Sequence, residues 1–198
     1  MAYTPCSAAE IAANLQENCT NPATEGLQVL GVAIAKADIA SVVRGNTQAT
    51  KNLVSAITVA TGKKTFVIEA SGSTPWADSG EEFDAELRKW NKTANFVAPD
   101  YGGEIASNCI EPLCKNKDGF VVILQRKNTR GIGSFVIVGL EQGAVVTSET
   151  RNDTDAATSG CPSLTLTETG APSSEINFYD TSYATTKTAF DALVALAV

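Results

Sequence analysis

The sequence predicts an α+β fold, mainly an antiparallel β-sandwich or barrel with flanking helices, and three observations predict it. Short apolar runs with strand periodicity recur along the chain, separated by Gly-, Asn- and Thr-bearing turns. Helical periodicity is confined to three segments, numbered 7–17, 80–94 and 186–197. Strands and helices do not alternate strictly, which argues against a doubly wound parallel sheet. At 198 residues the chain has the length of one domain, so a single β-rich domain over 1–198 is expected.

Ser7 followed by Glu10 is a capping-box pair, and Ile11 and Leu15 lie four apart on one face, which predicts the first, short helix. In LQVLGVAIAKADIA (27–40), Leu30, Val32 and Ile34 alternate with small or polar residues, the period of a half-buried strand. Leu53 to Ala60 and Lys64 to Ala70 read as two more strands, and the Thr-Gly-Lys-Lys turn between them predicts a hairpin. The loop from Ser71 to Gly80 then leads into the second helix. Ser79 and Glu82 form its capping box, and Phe83, Leu87, Trp90 and Ala94 form its apolar stripe. Acids crowd its start, while Arg88, Lys89 and Lys92 crowd its end, so both sets complement a helix macrodipole. Glu104 to Ile110 has room for two helical turns before Pro112 interrupts.

From Gly119 the strand pattern returns. FVVILQRK (120–127) is apolar at five consecutive positions and then abruptly polar and charged, which implies burial on both faces. SFVIVGL (134–140) behaves alike across a loop containing Arg130, Gly131 and Gly133, which predicts a hairpin of two central strands. Ala144 to Thr150 and Leu164 to Thr169 follow as strands, the LTLTET alternation placing leucines inward and threonines outward. Phe190, Leu193, Val194 and Ala197 share the stripe of the last helix.

Charge and composition exclude most familiar functions. Fifteen Lys plus Arg stand against 22 Asp plus Glu, a net charge of −7, so no clamp on phosphate backbones is expected. There is no His, which removes the commonest general base and metal ligand and every Ser-His or Cys-His pair. The longest uncharged apolar stretches, such as 29–35, have seven residues, against the roughly 20 that a membrane-spanning helix needs. The start, MAYTPCSAAE, has no basic n-region, so no cleaved leader is expected and synthesis in the cytosol follows.

Chemical motifs are incomplete throughout. Gly45 to Lys51 and Gly62 to Thr65 each carry only part of a phosphate loop, and no Gly-x-Ser-x-Gly elbow occurs. Asp153 and Asp155 lack the Gly and the closing Glu of a calcium loop. The five cysteines are an odd set, and Cys109 and Cys114 lack the Cys-x-x-Cys spacing, so reduced thiols are expected. No catalytic residue, cofactor or metal ligand is assigned, and the chain is read as a non-enzyme. Trp76, a large aromatic in a Gly/Ser/Pro loop, suits a partner-facing anchor. With Arg130 it marks the two loops proposed as assembly contacts.

The profile that remains, β-rich, acidic and without catalytic machinery, suits a building block. The succession FVVILQRK, GSFVIVGLEQGAVVTSET, a polar loop and SLTLTETGAPSSEINFYD, roughly Gly119 to Asp180, resembles the closing sheet of bacteriophage tail tube proteins. The resemblance is one of layout, without a signature residue. It implies a virion structural protein made in the host cytoplasm, assembling as stacked rings, usually of six subunits, that form a conduit for the phage genome. Its partners are then further copies of itself and other tail proteins, with transient DNA passage, no specific DNA binding and no membrane. The segment from Gly143 to Val198 holds seven acids and two bases, a net −5. Asp153, Asp155, Glu168 and Glu175 are therefore candidates for a lumen wall that repels DNA. A phage ring, connector or tail-completion protein is the nearest alternative. An extracellular adhesion or carbohydrate-binding β-sandwich module is the alternative of another class.

Overall fold

A computed structural model of the chain describes residues 27–69, 77–98, 102–127, 129 and 131–197. The helix expected over 7–17 lies outside them. The described chain is a β-rich α+β fold of two sheets with few helices, and neither sheet closes into a barrel. The larger sheet contains β1 (Leu27–Ala35), β2 (Ile39–Arg44), β3 (Leu53–Val59), β4 (Phe66–Glu69), β7 (Phe120–Arg126), β8 (Phe135–Val138) and β11 (Ile176–Phe178). Its order is β2-β3-β11-β8-β7-β1-β4, antiparallel except for β3 beside β11. The smaller sheet runs β5 (Ala77–Asp84), β6 (Lys89–Val97), β10 (Ser163–Ala171), β9 (Val145–Thr150).

The apolar runs of β7 and β8 are explained by what covers them. Val122, Leu124, Val136 and Val138 belong to one apolar cluster with Ala94, Phe96, Leu164 and Leu166 of the smaller sheet. Val121, Ile123, Phe135 and Ile137 belong to a second cluster with Phe190 and Leu193 of the C-terminal helix. A strand covered on both faces cannot alternate with polar residues, hence the continuous run. The expected β7–β8 hairpin forms, pairing Val122 with Val138 and Gln125 with Phe135. In β10, Leu164 and Leu166 are fully buried, as the alternation predicts.

The last helix, α3, spans Tyr183–Val194, three residues earlier at each end than the segment expected at 186–197. Its N-cap is Ser182, whose hydroxyl accepts the Thr185 amide at 3.1 Å, and Phe190 packs 5.1 Å, ring to ring, from Phe135. Ser182→Ala should cost about 1 kcal/mol, read as a lower urea midpoint with an unchanged m-value. An unshifted midpoint would show that the cap is dispensable.

Two expectations fail, besides that of an interruption at Pro112, through which the helical run from Gly103 to Lys115 continues. The segment 80–94 is not a helix but most of the β5–β6 hairpin. Its acid-then-base gradient, which suits a macrodipole, equally suits a chain folding back on itself: Glu81 lies opposite Lys92 and Asp84 opposite Lys89. Phe83 and Trp90 become a cross-strand pair with centroids 4.9 Å apart. The Asp84 side chain accepts the amides of Glu86 and Leu87 to close the turn, and Arg88 takes φ 55°. A lone helix of this length is marginal in water, whereas β6 also pairs along β10 and buries Ala94 and Phe96.

The second failure is the hairpin expected between 53–60 and 64–70. β3 pairs with β2 and β11, and β4 pairs with β1, on the far side of the sheet. The link between them crosses the sheet and is tied to the end of α3, where Thr65 donates its amide to the Leu196 carbonyl and its hydroxyl to the Leu193 carbonyl.

Candidate functional site

Where the two sheets meet, the structure buries charge. Lys92 of β6 and Glu168 of β10 are direct cross-strand partners, 2% and 0% exposed. The Glu168 carboxylate accepts the amides of Gly139 at 3.0 Å, Glu141 at 2.7 Å and Gln142 at 2.7 Å, all in the turn that follows β8. That turn needs glycine at 139, where φ is +90° and a Cβ would stand 2.0 Å from the Phe120 carbonyl oxygen. The Lys92 ammonium lies 3.6 Å from Glu168 and 3.8 Å from Glu141, and has no hydrogen-bond acceptor among the described residues. Arg44, the last residue of β2, donates to Glu141 at 2.8 Å and to the Ser173 hydroxyl at 3.0 Å. Burial pushes the Glu141 carboxyl up, but the bonds from Arg44 and Ser173 and the charge of Lys92 outweigh it and hold it below its ordinary value. The cluster thus clamps the smaller sheet to the β8 turn and to the end of edge strand β2.

Beside Lys92 opens a polar cleft of about 50 Å³ lined by Ser79, Glu81, Arg126 and Glu175, among others. Arg126 grips Glu175 with both terminal nitrogens. Burial raises the Glu175 carboxyl, yet the Arg126 bonds and charge leave it lowered overall. Glu81 is raised, first by burial and then by the neighbouring Glu175 charge. A lowered carboxyl adds stability that is complete above its unfolded value and drains away as pH falls through the folded one; a raised carboxyl does the reverse. Glu81→Gln should therefore raise the melting temperature at about pH 7 and leave it unchanged near about pH 3, where wild-type Glu81 already holds its proton. A gain that persists in acid would trace the effect to packing.

The residues singled out from the sequence scatter. Trp76 and Arg130 lie outside the described residues. Asp153 is exposed and paired with Arg151 at 2.8 Å, and Asp155 is half-buried in the same loop. Glu175 is neutralised by Arg126. Glu168 needs correction, because a fully buried carboxylate bonded to three amides faces neither solvent nor a lumen. Its burial was visible in the sequence, since Leu164, Leu166 and Glu168 are in phase at period two. Lys92 was masked by the helical reading of its segment. The thiols of Cys109, Cys114 and Cys161 are free.

The remaining conspicuous surface is the pair of ends of the larger sheet. β2 and β4 each pair on one side only among the described residues. Val42 and Val43 on β2 are 37% and 54% exposed, and Phe66 and Val67 on β4 are 42% and 36% exposed. Unpaired backbone flanked by large apolar side chains is a template for another strand.

Among the described residues no cluster of three metal-ligating side chains occurs, and no helix is long and apolar enough to cross a membrane. The chain matches no family model, and neither a curated protein nor a solved structure is found similar to it.

Proposed function

We propose that the chain is a self-assembling virion structural protein, a bacteriophage tail tube subunit whose rings stack into a conduit for the phage genome. One observation carries the reading: among the described residues the larger sheet ends in two different unpaired edges, β2 and β4, both bearing exposed apolar residues. Joining β2 of one copy to β4 of the next is a head-to-tail contact, which closes into a ring when its rotation divides a full turn. Closure pairs both edges of the larger sheet, the two that carry exposed apolar side chains.

In this reading the two sheets are the faces of an antiparallel sandwich with α3 flanking it. Six copies per ring follow the family resembled. The loop with Asp153 and Asp155 remains the candidate lumen wall: Asp153 is exposed although paired with Arg151, Asp155 is half-buried, and the two acids outnumber that one base. The partners are further copies, other tail proteins and passing DNA held by no specific contact. The protein is made in the host cytoplasm and ends in the virion tail.

A single ring, as in a connector or tail-completion protein, uses the same edges without stacking. An adhesion module gains support from disulfides, whereas the described thiols are free. Negative-stain microscopy at low and high protein concentration separates these: stacked rings or tubes support the tube, lone rings the connector, and monomers at every concentration refute both.

A further inference from the structure

An apolar groove of about 270 Å³ runs between β4 and the short helical segment that precedes β7. Phe66, Val67 and Ile68 form one wall, Ile105, Cys109, Ile110 and Leu113 the other, and Phe96, Leu164 and Leu166 the floor. The second wall consists of α1 (Gly103–Ile105), a π-helical turn (Ala106–Ile110) and α2 (Glu111–Lys115). An apolar cavity of ~150 Å³ takes one benzene, so the groove has room for about two aliphatic side chains. It lies below the ~300 Å³ at which pockets for drug-sized ligands begin.

We propose that the chain's own first 26 residues fill this groove, seating Ile11 and Leu15 between the two walls. Three facts favour this occupant. First, the segment is tethered at the right place: it joins β1 at Leu27, three residues before Leu30, which pairs with the groove residue Glu69. Second, its length suffices. A helix over 7–17 is about 16 Å long, and the nine residues from 18 to 26 span up to about 30 Å. Third, its sequence pattern fits a shallow apolar slot, because Ala8, Ile11, Ala12 and Leu15 recur at the three- and four-residue spacing of an apolar stripe and Glu10 and Glu17 fall outside that spacing. The segment has three acids and no base, and the exposed Lys64 stands two residues from Phe66 at the groove. The side chains of β4 receive the segment, while its outer hydrogen-bonding edge stays open to a further strand. The inference is independent of assembly and holds for a single subunit.

Cys109 reports on the seat, because it lines the groove and Cys114, on the same helical segment, does not. Full-length protein at dilute concentration is pulsed with N-ethylmaleimide, and modification at each cysteine is read by peptide mass spectrometry. Relative to Cys114, Cys109 should react about tenfold faster in the Ile11→Asp/Leu15→Asp variant than in the wild type, the ratio expected when about 1.4 kcal/mol of seating is lost. Leu15→Ala, a milder change, should fall between. An unchanged ratio in both variants overturns the proposal. Protection that appears only as concentration rises also overturns it, since a second copy then covers the groove.

Discussion

Glu168→Gln should lower the unfolding free energy by about 3–5 kcal/mol, the cost of leaving one member of a buried ion pair alone. The variant keeps the side-chain volume but removes the negative charge 3.6 Å from Lys92, whose nearest remaining ion-pair partner is Glu141 at 3.8 Å. Lys92→Met should cost less. Glu168 keeps its three amide donors, and a carboxylate so bonded remains satisfied without a cation. The double variant should therefore be more stable than Glu168→Gln alone, since it removes the stranded ammonium. Urea unfolding of the four proteins gives the cycle. Equal losses for the two single variants, or a Glu168→Gln loss below about 1 kcal/mol, would show that the pair is solvated and no clamp. Because Arg44 ties the same cluster to the end of β2, loss of Glu168 should also loosen that edge, read as faster amide exchange in Val42 and Val43.

The second large effect concerns the edges. In the ring assembly proposed above, Val43→Lys on β2 and Val67→Glu on β4 should each hold the protein as single subunits at concentrations where the wild type is expected to assemble. Each places a charge beside an apolar partner strand and lowers association about tenfold or more per contact, and a closed ring of identical contacts compounds the loss. The melting temperature of Val43→Lys should barely move, since substitutions at exposed sites are worth about 0.5 kcal/mol or less. Combined in one chain, the opposite charges restore complementarity between the two edges and should recover part of the assembly. Sedimentation velocity reads all four proteins. Rings formed by both single variants, or no recovery in the double variant, would place the contact on other surfaces.

Much of the fold was legible because its signals are local. The two-sided apolar runs of β7 and β8, the leucine alternation of β10 and the stripe of α3 each depend on neighbours within a few residues. Where two structures share one local pattern, the sequence is silent. The charge gradient from Glu81 to Lys92 fits a helix dipole and an antiparallel hairpin equally well, and the pairing with β10 decides between them. The turn at 60–65 looks like any hairpin turn, yet it crosses to the opposite edge because Thr65 is held by the end of α3.

The candidate site shows the same division. Glu168 stood out in the sequence as one acid in an acidic segment, and its period-two phase with Leu164 and Leu166 already placed it inward. That its burial is tolerable depends on three amides some 27 residues away and a lysine on another strand. By itself the sequence determined the β-rich class, the two-sided burial of the central strands, the net charge and the absence of histidine, since these depend on composition and on periods of two to four residues. Only the tertiary structure decided which strands are edges, which charges are buried and where a groove remains open. Those properties arise when segments far apart in the chain exclude water from one another, and no local period records which segments will meet.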